Sequence, residues 1–218
     1  MSLEQVIQKI EQARLTVDGH HIVKLVAVSK YVDTDAMRTL YQEGQRAFGE
    51  NKVQDLETKS QSLDDLPIEW HFIGTLQTNK INKLIDLRPA LMQSLSSLEL
   101  AEALERRLEA KEATIRALLQ VNAAKEESKS GVTPEAAVDL YREITARFPH
   151  IKLEGVMTIG AHTDDHKTIT KSFETTRKIF DDLSDTRPRY CSMGMSQDYD
   201  LAIRCGSNMV RLGSVLFK

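Results

Sequence analysis

The sequence predicts an α/β protein built as a single-domain TIM barrel, the (β/α)8 fold. Eight short apolar runs are spaced along the 218 residues, longer amphipathic helix patterns lie between them, and no Pro/Gly/Ser-rich linker divides the chain. Apolar strands that alternate with helices form a parallel sheet covered on its faces, and eight such units are the number that closes a barrel. We therefore expect one domain over residues 1–218, with an open doubly wound sheet as the alternative.

The eight predicted strands are short and mostly apolar. They are residues 24–30 (KLVAVSK), 46–51 (RAFGEN), 69–74 (EWHFIG), 91–96 (LMQSLS), 116–122 (RALLQVN), 152–160 (KLEGVMTIG), 190–196 (YCSMGMS) and 209–214 (MVRLGS). Most of these runs end on a polar residue or a glycine. In a parallel barrel the ends meet at one mouth, where active sites and phosphate sites lie.

Helix patterns occupy the intervals between the strands. Three of them have clear boundaries: residues 33–44, 97–111 and 133–148. The third begins with Thr133 as its N-cap and Pro134 in its first turn, which is where proline is favoured. We expect all three to be amphipathic crossover helices.

The chain stops at Lys218, too soon after the eighth strand for an ordinary helix to follow it. An N-terminal helix is predicted with Val6, Ile10, Ala13 and Leu15 as its apolar positions. We expect this helix to cover the part of the barrel wall that a final helix would otherwise cover.

Composition argues against several classes of protein. The formal charge is −3 and the basic residues are scattered, which does not favour nucleic-acid binding. Cys191 and Cys205 lack the spacing of a disulfide framework or a zinc cluster, which fits a reducing compartment. The chain shows neither a signal sequence nor an apolar run of about 18 residues, so we expect a cytoplasmic protein without membrane contact.

Lys30 is the most informative of the strand-end residues. A lysine after a strand often reflects only the solvent-exposed loop that follows. At the mouth of an apolar barrel, however, the amine would be partly desolvated, which favours its neutral and nucleophilic form. Schiff-base chemistry with a carbonyl compound is therefore plausible for Lys30.

Other groups at the predicted mouth suit a phosphate. Ser192 and Ser196 precede a helix pattern, whose free N–H groups attract anions. Gly213 would let a ligand approach the backbone, and Ser214 can donate a hydrogen bond. Together with Lys30, these groups suggest an anionic aldehyde as the ligand.

Three further segments receive structural interpretations. The HTDDH sequence at 162–166 is expected to form a helix N-cap and a solvated first turn, and we assign no metal site. His71 is expected to be a hydrogen-bonded structural histidine rather than a general base. Residues 123–131 (AAKEESKSG) are predicted to form an exposed loop.

The segment WHFIGTLQTNKINKL at 70–84 closely resembles a signature of the pyridoxal phosphate homeostasis proteins, the YggS/PROSC family. The resemblance extends over essentially the whole chain. It also includes AVSK at 27–30, FGEN at 48–51, LEGVMTIG at 153–160, SMGMSQDYDLAI at 192–203 and GSNMVRLGSVLF at 206–217. One departure is the end of the chain, where Lys218 follows Phe217 although family members commonly continue from "F-G" into a short tail.

The resemblance implies a barrel like the N-terminal domain of alanine racemase, with pyridoxal 5′-phosphate (PLP) as the cofactor. It implies that Lys30 carries PLP as an internal aldimine and that Arg211 faces the pyridine nitrogen. The other implied cofactor-binding residues are Asn51 beside the ring and Ser192, Ser196, Gly213 and Ser214 at the phosphate. A permanently charged arginine opposes protonation of the ring nitrogen, which makes the ring a weaker electron sink.

The family further implies a PLP homeostasis protein that buffers the cofactor, delivers it to apo-enzymes and has no turnover. We accordingly assign no catalytic residue and expect a monomer. The alternative is a PLP-dependent amino-acid racemase, which needs a second base on the opposite face of the ligand. Tyr31 is the least implausible source of that base. A barrel in which Lys30 is only a solvated strand end is a third hypothesis.

Overall fold

The computed structural model describes residues 1–126 and 129–217, and within them eight parallel strands close into a barrel. The strands are β1 (Lys24–Val28), β2 (Ala47–Glu50), β3 (Glu69–Phe72), β4 (Leu91–Leu95), β5 (Ile115–Gln120), β6 (Ile151–Met157), β7 (Tyr190–Ser192) and β8 (Met209–Leu212). Each strand pairs with the next, and β1 pairs with β8. The predicted barrel is confirmed, and the open sheet is wrong.

The described part of the chain also contains eight α-helices. They are α1 (Leu3–Leu15), α2 (Thr34–Gln42), α3 (Val53–Ser62), α4 (Ile81–Leu87), α5 (Leu98–Ala110), α6 (Pro134–Arg147), α7 (His166–Asp182) and α8 (Tyr199–Arg204). Asp33 caps α2 by accepting the Ala36 N–H, as the sequence indicates. None of the described helices has the length and apolar character that crossing a bilayer requires.

Every predicted strand end lies beyond the end of the observed strand. β1 ends at Val28 and β2 at Glu50, so Lys30 and Asn51 belong to the loops that follow. The ladder of strand hydrogen bonds stops where the chain turns outward to enter a helix, and polar residues and glycines occupy these turns. Lys30, Asn51, Ser196, Gly213 and Ser214 therefore lie on the loops of the mouth rather than on the strands.

The interior of the barrel has an apolar layer and a polar layer. Side chains from different strands meet in the apolar layer, which comprises Val26, Ala47, Leu91, Leu118, Met157 and Met209. Nearer the mouth, Gln93, Ser192 and Arg211 are buried polar residues. Because buried polar groups need partners, this layer is held together by hydrogen bonds.

α1 packs against α8 and the wall near β8, as expected for a helix that replaces a final one. Leu3, Val6, Ile10 and Ala13 form its buried face. The assignment of Leu15 to this face is wrong, since Leu15 is 60% exposed. It follows Ala13 by two residues, which places it on the opposite side of a helix.

Candidate functional site

Lys30 lies at the mouth of the barrel, two residues after β1. Its side chain is exposed, and its Nζ lies 4.9 Å from the centre of the Tyr31 ring. The expected partial desolvation of Lys30 is therefore wrong for this structure, because the chain leaves the strand before reaching the lysine. The amine is accessible to a ligand that enters from solvent.

The residue before this lysine is firmly anchored. Ser29 is fully buried, and its Oγ donates to Glu50 Oε1 at 2.6 Å. Lys59 on α3 donates from Nζ to the same carboxylate oxygen at 2.7 Å and to the Ser29 carbonyl at 2.6 Å. Sequence reasoning missed Glu50 and Lys59, although a glutamate inside the apolar run 46–51 is the kind of residue that signals a buried ion pair.

Asn51 follows β2 and is half-buried beside Gly74 of the next loop. A Cβ atom at Gly74 would lie only 1.9 Å from the Asn51 carbonyl oxygen, so only glycine fits there. An open pocket of about 320 Å³ borders Asn51. Its lining residues are Asn51, Lys52, Val53, Gln54, Thr75, Gln77 and Lys80.

Arg211 on β8 is buried inside the barrel and 4% exposed. Nη1 donates to Ser192 Oγ at 2.6 Å, and Nη2 donates to the Thr158 carbonyl at 2.7 Å. Burial lowers the pKa of Arg211 to about 10, and the nearby Asp198 acts against this shift. The guanidinium is therefore a positive charge at neutral pH whose orientation is fixed.

Ser192 does not lie where the sequence suggested. It is the last residue of β7 and fully buried, and its hydroxyl accepts from Arg211 and donates to Gln93 Oε1 at 2.7 Å. Its hydroxyl proton is committed to Gln93, so we revise its assignment from the phosphate to the orientation of Arg211.

Ser196 and Gly213 bring the loops after β7 and β8 together. The Gly213 N–H donates to Ser196 Oγ at 3.2 Å, and Ser214 beside them is exposed. The helix expected to supply free N–H groups, α8, has only six residues. In addition, the Met195 N–H donates to Asp198 Oδ1 at 2.6 Å, so this loop has fewer free donors than expected.

The pairing of the strands brings the predicted residues to one place. β1 lies between β2 and β8, and the Val28 carbonyl is 3.2 Å from the position that a Cβ of Gly213 would occupy. The Ser29 N–H donates to the Gly49 carbonyl at 3.1 Å. The loops that carry Lys30, Asn51 and Gly213 are therefore neighbours, and Arg211 lies below them.

The structure confirms the interpretation of residues 162–166 and corrects that of residues 123–131. Asp165 caps α7 by accepting the N–H groups of Lys167 and Thr168, which confirms the predicted N-cap. The expected exposed loop at 123–131 is instead mostly half-buried in its described part, and Lys129 Nζ donates to the Gly160 carbonyl at 2.6 Å. Residues 127 and 128 of that loop, and Lys218 at the chain end, lie outside the described residues.

Comparison with known proteins agrees with this geometry. Residues 1–218 match the family model of the alanine racemase N-terminal domain. The chain is 56% identical over 216 residues to the pyridoxal phosphate homeostasis protein of Helicobacter pylori, covering 99% of this chain and 96% of that protein. PipY of Synechococcus elongatus, solved with PLP bound, has a TM-score of 0.80 at 30% identity, covering 96% of this chain and 100% of that chain.

A more distant structure shares the fold alone. Alanine racemase of Clostridium difficile has a TM-score of 0.75 at 16% identity, over 99% of this chain and 56% of that chain. The family model that matches residues 1–218 assigns this closed barrel to the alanine racemase N-terminal-domain class. Within that class, the chain belongs to the pyridoxal phosphate homeostasis protein family.

Proposed function

We propose that this protein binds PLP reversibly at the barrel mouth and takes part in PLP homeostasis by buffering and delivering it. The observation that carries the proposal is that an accessible primary amine, Lys30, lies on the loop after β1, and a buried guanidinium, Arg211, lies on the neighbouring strand β8. An amine and a fixed positive charge at one mouth suit an aldehyde with an aromatic nitrogen and a phosphate. The PLP-bound relative at 30% identity supports this choice of ligand.

Lys30 is the residue that holds the cofactor covalently. PLP supplies an aldehyde, which condenses with a primary amine with loss of water. Because Ser29 is held by Glu50 and Lys59, the backbone next to Lys30 is fixed while its side chain remains free to reach the ligand.

Arg211 accounts for the weak chemistry that we assign to the bound cofactor. Two of its nitrogens are held by Ser192 and Thr158, while a guanidinium carries five N–H donors in all, so donors remain for a ring nitrogen. A fixed positive charge opposes protonation of that nitrogen. The ring then withdraws electrons weakly, which suits a carrier better than a catalyst.

The phosphate is assigned to the joined loops after β7 and β8. Ser196 Oγ accepts from Gly213, which leaves its proton to donate to the phosphate, and Ser214 is exposed beside it. Asn51 is assigned to the side of the ring, where the β2 loop borders the β1 loop. Arg211 lies below both and adds positive charge without direct exposure to solvent.

We further propose that the protein has no turnover of its own. A racemase needs a second base that is held on the opposite face of the ligand. Tyr31, the tyrosine next to Lys30, is 87% exposed and therefore poorly held for proton transfer. We infer a cytoplasmic monomer whose partners are apo forms of PLP-dependent enzymes.

A spectroscopic titration tests the binding proposal. Purified protein titrated with PLP is expected to give a saturable visible absorption band, and Lys30→Ala is expected to abolish it. Lys52→Ala is the matched control, because Lys52 is an exposed lysine beside the same mouth. An unchanged band in Lys30→Ala would contradict the proposal, and racemisation of alanine by the loaded protein would favour the racemase instead.

A further inference from the structure

A network of hydrogen-bonded polar side chains crosses the interior of the barrel, and all of its members are buried except the half-buried Glu69. Ser192 on β7 donates to Gln93 Oε1 on β4, although these strands are not neighbours. Gln93 Nε2 lies 2.9 Å from His71 Nδ1, and His71 Nε2 lies 3.0 Å from Glu69 Oε1. With the bond from Arg211 to Ser192, four hydrogen bonds connect Arg211 to Glu69.

The partners of His71 determine the direction of these bonds. Burial lowers the pKa of His71, so the ring is neutral and carries one proton. An ionised carboxylate can only accept, and the hydrogen bond from His71 lowers the pKa of Glu69 to about 2, with Lys24 adding to this shift. The single ring proton must therefore lie on Nε2, and Nδ1 must accept from the Gln93 amide.

All four hydrogen bonds of this network consequently point in the same direction, from Arg211 toward Glu69. Arg211 donates to Ser192, Ser192 to Gln93, Gln93 to His71, and His71 to Glu69. The dipoles of hydrogen bonds that point the same way reinforce one another. Each of the four hydrogen bonds thus has one defined donor and one defined acceptor.

Asp198 and these hydrogen bonds together explain how Arg211 is tolerated inside the barrel. Its direct partners are a hydroxyl and a backbone carbonyl, both neutral, whereas a buried charge normally requires a compensating one. The aligned dipoles of Ser192, Gln93 and His71 lead to the Glu69 carboxylate, which also pairs with Lys24 at 2.5 Å. The negative charge that favours the guanidinium is that of the nearby Asp198, and the hydrogen bonds to Ser192 and Thr158 fix its orientation.

We infer that Gln93, His71 and Glu69 are positioning residues for Arg211, acting through Ser192 to fix the guanidinium that meets the ligand. The consequence for ligand affinity rests on the proposed PLP function. The direction of the hydrogen bonds can be tested without any ligand. The positioning inference and the proposed PLP function can therefore fail separately.

The first test observes His71 in the ligand-free protein. Two-bond ¹H–¹⁵N NMR at neutral pH is expected to show a neutral ring protonated on Nε2. Gln93→Glu is expected to protonate Nδ1 as well, because a carboxylate cannot donate to it. Ser94→Ala is the matched control, since Ser94 follows Gln93 on β4 and its buried Oγ lacks a partner among the described residues. A charged ring, or a proton on Nδ1, in the unaltered protein would overturn the inference whether or not PLP binds.

The second test measures PLP affinity. Gln93→Met keeps the length of the side chain and removes both hydrogen bonds, and we expect its Kd for PLP to rise about tenfold, the effect of roughly one lost hydrogen bond. Ser94→Ala is expected to keep the original Kd. An unchanged Kd in Gln93→Met would overturn the positioning role. If Gln93→Met does not fold, Gln93→Leu removes the same two hydrogen bonds and gives the same comparison. A failure of the unaltered protein to bind PLP would count against the proposed function alone.

Discussion

At the scale of single residues, the lysine of the mouth depends on a buried ion pair. Glu50 is fully buried, and the amine of Lys59 is largely buried, with 13% of its side chain exposed. Together they hold Ser29, the neighbour of Lys30. A buried charge that loses its partner is costly, so this pair should respond strongly to substitution.

Replacement of Lys59 by methionine tests this pair. Lys59→Met leaves the Glu50 carboxylate buried without its cation, and we expect a loss of about 3 kcal/mol in the free energy of unfolding. The exposed pair of Arg38 and Asp65 provides the control, and Arg38→Met should cost less than about 1 kcal/mol. Urea unfolding of both variants measures the difference, and equal losses would argue against a special role for the buried pair.

The lowered pKa of Glu69 predicts how the stability of the protein changes in acid. Its pKa in the folded protein is about 2, below the ordinary value of 4.5, because His71 and Lys24 bond to the carboxylate. At pH values between about 2 and 4.5, the unfolded chain binds more protons than the folded protein. The stability that the Glu69 carboxylate contributes is therefore present above pH 4.5 and is lost as the pH falls toward about 2. We expect Glu69→Gln to flatten this part of the stability profile. Glu109→Gln, at an exposed position of α5, should leave the profile unchanged, and parallel profiles for Glu69→Gln and the unaltered protein would contradict the assignment.

At the scale of elements, the loops of the mouth are fitted to one another by backbone contacts. The loop after β3 approaches the loop after β2 so closely that Gly74 admits no side chain against the Asn51 carbonyl. The loops after β7 and β8 are joined through Ser196 and Gly213. The geometry of the mouth is therefore set by pairs of loops rather than by any one strand.

A methyl group at Gly74 should disturb this fit. Gly74→Ala would place Cβ against the Asn51 carbonyl, and we expect a loss of about 1–3 kcal/mol in stability together with weaker PLP binding, because Asn51 must move. Gly19→Ala is the control, since the space around its Cβ is open. Thermal unfolding and PLP titration would measure both effects. Normal PLP affinity in Gly74→Ala would show that the position of Asn51 does not matter for the ligand.

Much of this arrangement could be predicted from the sequence. Near-continuous apolar runs and intervening helices predicted the barrel, and the residue types after the strands predicted which loops form the mouth. Lys30, Asn51, Gly213 and Ser214 were predicted to lie at the mouth in this way, and each lies within two residues of the end of an observed strand. The placement of α1 was also predicted, from its apolar positions and the short chain after β8.

The contacts that cross the barrel could not be predicted in this way. Ser192 and Gln93 are 99 residues apart in the sequence, and their pairing depends on which side chains point inward at the same height. A serine at the end of a strand looks the same whether it faces a phosphate or an arginine. The Glu50–Lys59 pair was missed for a similar reason, since its third member, Ser29, lies in the loop after a different strand, β1.

At the scale of the whole molecule, barrel closure explains how a short chain holds such a site. Because β1 pairs with β8, the described sheet has no open edge, and α1 covers the wall beside α8. Closure also makes the first and last strands neighbours. The loop that carries Lys30 and the strand that carries Arg211 are therefore neighbours at one mouth, although most of the sequence lies between these two residues.

The most direct test of the account is to identify the lysine that binds PLP. The protein loaded with PLP would be reduced with borohydride, digested, and mapped by mass spectrometry. We predict a single reduced pyridoxyl adduct, on the peptide that contains Lys30, at close to one per chain. An adduct spread over other lysines, such as the exposed Lys52, or no stable adduct at all, would contradict the central claim that this barrel holds PLP through Lys30.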